Sequence, residues 1–187
     1  MQGQGGETLL QLVSPLFVMP EPRIHIRHHI AAIVINNEYD CWAAATAMVM
    51  RRHSQAGVDH VKSLAHSAGV VLDQGTLTEN SVQRLAHAVH LKFHALRERI
   101  SLRRMEELLR RGPLVAFGQF GQDTNQVTKH AVAIHSLIGT GTSRHTKVYL
   151  VDPSPSNPVH NYSDTWENFG DDTRAVGSAA IEYILSH

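Results

Sequence analysis

An α+β fold, with helices first and an antiparallel sheet second, is what this 187-residue sequence predicts. Three observations carry it. Residues 41–53, CWAAATAMVMRRH, are apolar round most of a helical circumference, as a central buried helix is. Thr78, a residue suited to helix capping, opens one of the further helical segments. After Gly112-Pro113 the pattern changes to short apolar runs broken by Gly, Thr, Ser, Asn and Pro, which read as strands.

The elements follow in chain order. Residues 1–22 form a lead: a flexible opening, MQGQGGE, then an apolar segment at 9–19 closed by Pro20-Glu21-Pro22. No linker divides the remainder, so residues 23–187 are expected to make one domain. Residues 23–35 are rich in Ile and Val and contain a strand, followed by the polar loop Asn36-Asn37-Glu38-Tyr39. Asp40 stands as N-cap of the helix at 41–53, whose last turn carries two arginines and a histidine, suited to the negative end of the dipole. Helices are predicted at 58–67, at 78–90 with Thr78 as cap, and at 101–111, with a short strand near Phe93. Strands are predicted at 114–120, 130–138 and 147–151, then a WENF turn or short helix at 166–169 and a last strand at about 179–185.

Lys plus Arg and Asp plus Glu are both 17, so the formal net charge is zero. That removes the simplest argument for a nucleic-acid or anionic-membrane partner, which calls for a basic surplus. No run approaches the ~20 apolar residues needed to span a bilayer, and no secretory signal is legible. Cys41 is the one cysteine, so no intramolecular disulfide forms and the thiol is a candidate nucleophile.

A thiol attacks as thiolate. At the first turn of a helix, Cys41 faces unpaired backbone N–H groups and the positive end of the dipole, worth only ~0.3–1 kcal/mol at exposed sites. A nearby imidazolium must supply the rest, and Asp40 works against it unless its carboxylate turns into the cap. Alternation places Val132 and Ile134 on the face of His130, which opens the strand HAVAIHSLI. Asp152 ends the strand VYLVDP. Adjacent antiparallel strands bring a residue at one strand's start beside one at the other's end, the geometry of a base and its orienter. His135, five residues along, points to the other face of a regular strand.

Asp40-Cys41-Trp42-Ala43-Ala44-Ala45-Thr46-Ala47-Met48-Val49 resembles the nucleophile helix of papain-like cysteine proteases, closest to the bacterial branch that includes the plant-pathogen effector AvrRpt2, with bacteriocin-processing peptidases more distant. Gly112-Pro113-Leu114-Val115, His130-Ala131-Val132, Val151-Asp152-Pro153 and Trp166-Glu167-Asn168-Phe169 repeat the order of that branch. The resemblance implies a papain-like fold, with the nucleophile helix packed on the sheet, and a Cys41-His130-Asp152 triad that cleaves proteins without a cofactor. It also implies a delivered effector or interbacterial toxin acting in a target cell, with a cognate immunity protein as partner if the targets are competing bacteria. Where the family carries an oxyanion-hole glutamine, six residues before the cysteine, this chain has Ile35; Asn36 and Asn37 offer the same amide on a shorter arm. The same triad also fits a deamidase or transglutaminase, and the missing glutamine fits an inactive binding module.

The HIRHH cluster, His25 to His29, is expected to be surface histidines rather than a metal site, which needs four suitably spaced ligands. Arginines interleaved with Glu106 and Glu107 read as a solvated helix face, and no nucleotide fingerprint is present.

Overall fold

Alanines on two facing elements determine how this molecule is built. Helix α1, Cys41–Val49, is buried along its whole length, and Ala43, Ala44, Ala45 and Ala47 are fully covered. It lies on strands β5 (Leu114–Gln119) and β6 (Lys129–Gly139), and Ala131 and Ala133 share its core cluster. Small side chains on both sides let helix and sheet approach closely. The computed structural model describes residues 23–73, 75–119, 129–154, 161–170 and 180–187. The expected lead at 1–22 lies outside them.

The sheet is antiparallel throughout. To the strands above it adds β1 (Ile24–Arg27), β4 (Lys92–Ala95), β7 (Thr146–Val151), β8 (Asn161–Thr165) and β9 (Ala180–Ser186), in the order β4-β9-β5-β6-β7-β8. β1 pairs with the second half of β6, beyond the stretch that pairs with β5. A small separate hairpin joins β2 (Leu72–Asp73) to β3 (Thr76–Leu77). Alternation sorts the side chains: Val115, Phe117, Ala131, Ala133 and Val151 join α1, while Leu114, Ala116, Val132, Ile134 and Leu150 face the other way. On the first face α2 (Gln55–Ser67) packs on α1, and α3 (Glu79–Ala88) on α2. The second face is covered by α4 (Leu102–Leu109) and α5 (Trp166–Gly170), through Met105, Leu108, Leu109, Trp166 and Phe169. The helices and strands make the α+β arrangement predicted.

Local chemistry explains the boundaries. Thr78 accepts from the Ser81 N–H, as its capping role requires, and Ser101 caps α4 by accepting from the Arg104 N–H. Helix α1 is shorter than expected: it ends at Val49, because Arg51 adopts a left-handed conformation (φ 59°) that turns the chain toward Ser54. Ser54 caps α2 on the Gly57 N–H, so that helix begins three residues earlier than predicted. The two arginines and His53 therefore follow α1 instead of closing its last turn. The arginines of α4 pair within the helix, Arg103 and Arg104 with Glu107 and Arg110 with Glu106, all with exposed cations. His28 places Nε2 2.6 Å from the Leu109 carbonyl at the end of α4.

Met48 is fully buried, and its sulfur accepts from the Ile33 N–H. Met48→Ala is expected to lower the unfolding free energy by about 2–5 kcal/mol, read as a drop in the urea midpoint. An unchanged midpoint would show that the site collapses around the smaller side chain.

Candidate active site

Cys41 opens α1 directly after a 3-10 turn, Glu38–Asp40. Asn37 sets that turn by accepting the Tyr39 N–H on its side-chain oxygen. The Ile35 N–H reaches the Pro153 carbonyl at 3.2 Å, which ties the segment before the helix to the end of β7. The nucleophile candidate and Asp152 are thereby anchored to one another through the backbone.

His130 and Asp152 meet across adjacent strands. His130, at the head of β6, reaches the cleft beside Cys41 although Val132 and Ile134 face away from α1, against the alternation expected. His130 Nε2 lies 2.6 Å from Asp152 Oδ1, and both side chains are largely buried. The same carboxylate oxygen accepts the Ser154 N–H at 2.8 Å, a short turn that holds it in place. The His130 ring shares a cleft with the Cys41 side chain, which lies close enough to raise its pKa. With Nε2 committed to Asp152, Nδ1 is the nitrogen left for the thiol. Burial, the largest single influence on the ring, favours its neutral form. The hydrogen bond to Asp152, the nearby Cys41 side chain and the charges on both outweigh burial and raise the pKa to about 10. An imidazolium at neutral pH is what a neighbouring thiolate requires.

That shift has a consequence for stability. The unfolded ring titrates near ~6.5, so the folded state binds the proton more tightly. The contribution is complete below the unfolded value and disappears as pH rises through about 10. Urea midpoints are expected to fall between those limits, and His130→Gln to flatten that slope. An equally steep slope in the variant would place its origin elsewhere.

Cys41, Trp42, Gly75, Leu77, Phe117, Gly118, His130, Ala131, Glu182 and Tyr183 line a narrow cleft of about 20 Å3 together with Thr76. Room for about one water is left beside the sulfur. An open groove of about 620 Å3 adjoins it, lined by Asn37, Tyr39, Asp40, Trp42, Lys62, Leu72 and Gly75. Trp42 and Gly75 border both. Gly75 has φ 82°, and a Cβ there would drive into the Tyr39 ring, so glycine is needed where hairpin and turn meet.

Cys41, His130 and Asp152 come together, while the two asparagines do not share their cleft. Asn37 lines the groove, and the exposed Asn36 lines neither space. His135 sits at the register shift between Ile134 and Ser136, with Nδ1 2.8 Å from the Ser136 hydroxyl. Asp40 departs from expectation. It occupies the N-cap position without a side-chain cap bond, and its carboxylate pairs with Lys62 of α2 at 3.0 Å. Among the described residues no cluster of three or more His, Cys, Asp or Glu is arranged to hold a metal, and no helix is long and apolar enough to cross a membrane. Sequence reasoning missed the cleft wall from Gly75, Phe117, Gly118 and Tyr183, which carries no motif.

A family model described as the papain-like cysteine protease AvrRpt2 matches residues 25–172. Among solved structures, a double glycine motif protease from an AMS/PCAT transporter, in complex with the leader peptide, superposes with a TM-score of 0.52 at 15% identity. The match covers 90% of this chain and 97% of that one, which establishes a shared papain-like fold. A search of curated proteins found no match.

Proposed function

The chain belongs to the papain-like cysteine protease family of AvrRpt2, and from that membership we propose that Cys41, His130 and Asp152 are its catalytic triad. The carrying observation is that Cys41 and His130 line one cleft, with the Asp152 carboxylate 2.6 Å behind the imidazole. Cys41 thiolate attacks a peptide carbonyl, and His130 delivers its proton to the leaving amine, freeing the new N-terminus. Water then enters, His130 takes a proton from it, and the acyl-enzyme is hydrolysed to release the carboxylate product. Asp152 holds the ring throughout. No cofactor enters these steps.

The oxyanion forms beside the Cys41 backbone N–H at the start of α1. Of the two asparagines, Asn37 is the better second donor, because it borders the groove next to the cleft and its amide nitrogen remains a donor while the oxygen serves Tyr39. The confined space at the sulfur favours small residues flanking the scissile bond. An extended polypeptide substrate is supported by the leader peptide bound to the structural neighbour. The family resemblance supports a delivered effector or toxin that cuts proteins inside a target cell, with an immunity protein in a producer that targets competitors.

Mapping new protein N-termini in target-cell extracts, with wild type and Cys41→Ala in parallel, tests this reading. Fragments present only with the intact thiol are expected. A one-dalton shift on glutamine, or cross-links without fragments, would replace proteolysis by deamidation or transglutamination.

A further inference from the structure

The acidic residue next to the nucleophile is an apparent contradiction. A carboxylate at position 40 opposes formation of a thiolate at position 41, yet Asp40 makes no cap bond that would spread its charge into the helix terminus. Its carboxylate is mostly buried and meets the Lys62 ammonium at 3.0 Å. Lys62 comes from α2, which packs on α1, and stands with Asp40 in the wall of the groove beside the cleft.

We infer that Lys62 is a positioning residue for catalysis, neutralising Asp40 so that the thiolate of Cys41 forms without opposition. The inference rests on Cys41 being the nucleophile. A half-exposed ion pair of this kind contributes little to folding, so stability is not its main effect. Its electrostatic effect is local and one-signed: without the ammonium, a largely buried negative charge sits one residue from the developing thiolate, in the wall of the adjoining groove. Among the described residues, the other ionisable groups around Cys41 are His130 from β6, Asp152 behind it, Glu182 and Tyr183 from β9, and Tyr39 at the groove. None of these is altered by substitutions at 40 or 62.

Because Cys41 is the sole cysteine, iodoacetamide alkylation of the full chain reports on it alone. The rate is measured against pH for wild type, Lys62→Met, Lys62→Arg, Asp40→Asn and the double variant Asp40→Asn/Lys62→Met. In Lys62→Met the pH of half-maximal alkylation is expected to rise by about 0.5–1 unit, slowing the reaction about three- to tenfold below it. The acidic limb of kcat/KM for peptide cleavage moves equally, with KM unchanged. Lys62→Arg restores the wild-type profile, and the double variant returns close to it. The inference is overturned if wild type alkylates fast and Lys62→Met keeps its midpoint, or if the double variant stays as shifted as Lys62→Met, since Lys62 then acts without Asp40. Uniform slowing at every pH with a lower Tm marks a merely structural role and also overturns it. Wild-type alkylation no faster than that of a free cysteine instead removes the nucleophile assignment, and this inference with it.

Discussion

Cys41→Ala is expected to abolish peptide cleavage, with a fall in kcat on the order of 10⁴–10⁶. His130→Ala is expected to cost about as much, and the double substitution little more. The three groups act as a unit: without the sulfur no acyl-enzyme forms, and without the imidazole the thiol has no proton partner. Cys41 is 7 % exposed and alanine fits the space it leaves, so the fold should survive, checked by circular dichroism. The readout is turnover of a peptide identified from the N-terminal mapping. Retention of more than about a hundredth of wild-type turnover by Cys41→Ala would sink the triad.

Asp152→Ala is expected to have the next largest effect, a loss in kcat of about 10²–10⁴ with KM little changed. The carboxylate is bonded to His130 and to the Ser154 N–H, and Asp152 does not itself line the cleft. Its removal frees the ring to rotate and takes away the hydrogen bond that does most to raise the His130 pKa against burial. The alkaline limb of the pH–rate profile should therefore move down from about 10, and the ring proton resonances of His130 should titrate at lower pH by NMR. A variant that keeps both wild-type turnover and an unmoved alkaline limb would show that the 2.6 Å contact orients nothing.

The proposed triad is legible because each member sits at a local boundary. Cys41 begins an apolar helix after a polar loop, His130 stands at the head of a strand, and Asp152 leaves a strand just before proline. Such signals lie within a few residues of sequence. What was missed depends on distant partners. Nothing near Asp40 announces that Lys62, on another helix, will take its carboxylate. Met50, Arg51 and Arg52 continue a good helical pattern, but Arg51 bends backward because the chain must reach the cap of α2. The two-residue strands β2 and β3 are too short for any period, and β8, NYSDT, has the polar composition of a loop. It becomes an edge strand through its backbone pairing with β7.

Sulfur and imidazole belong to different layers of the molecule, one on α1 and the other on β6. Turnover is therefore a gauge of tertiary order. A swollen state that keeps its helices and strands but lets the layers slide apart, as acid or mild denaturant can produce, loses activity while its far-ultraviolet spectrum remains native-like. Peptide bonds are cut only while the alanine-lined seam between helix and sheet stays closed.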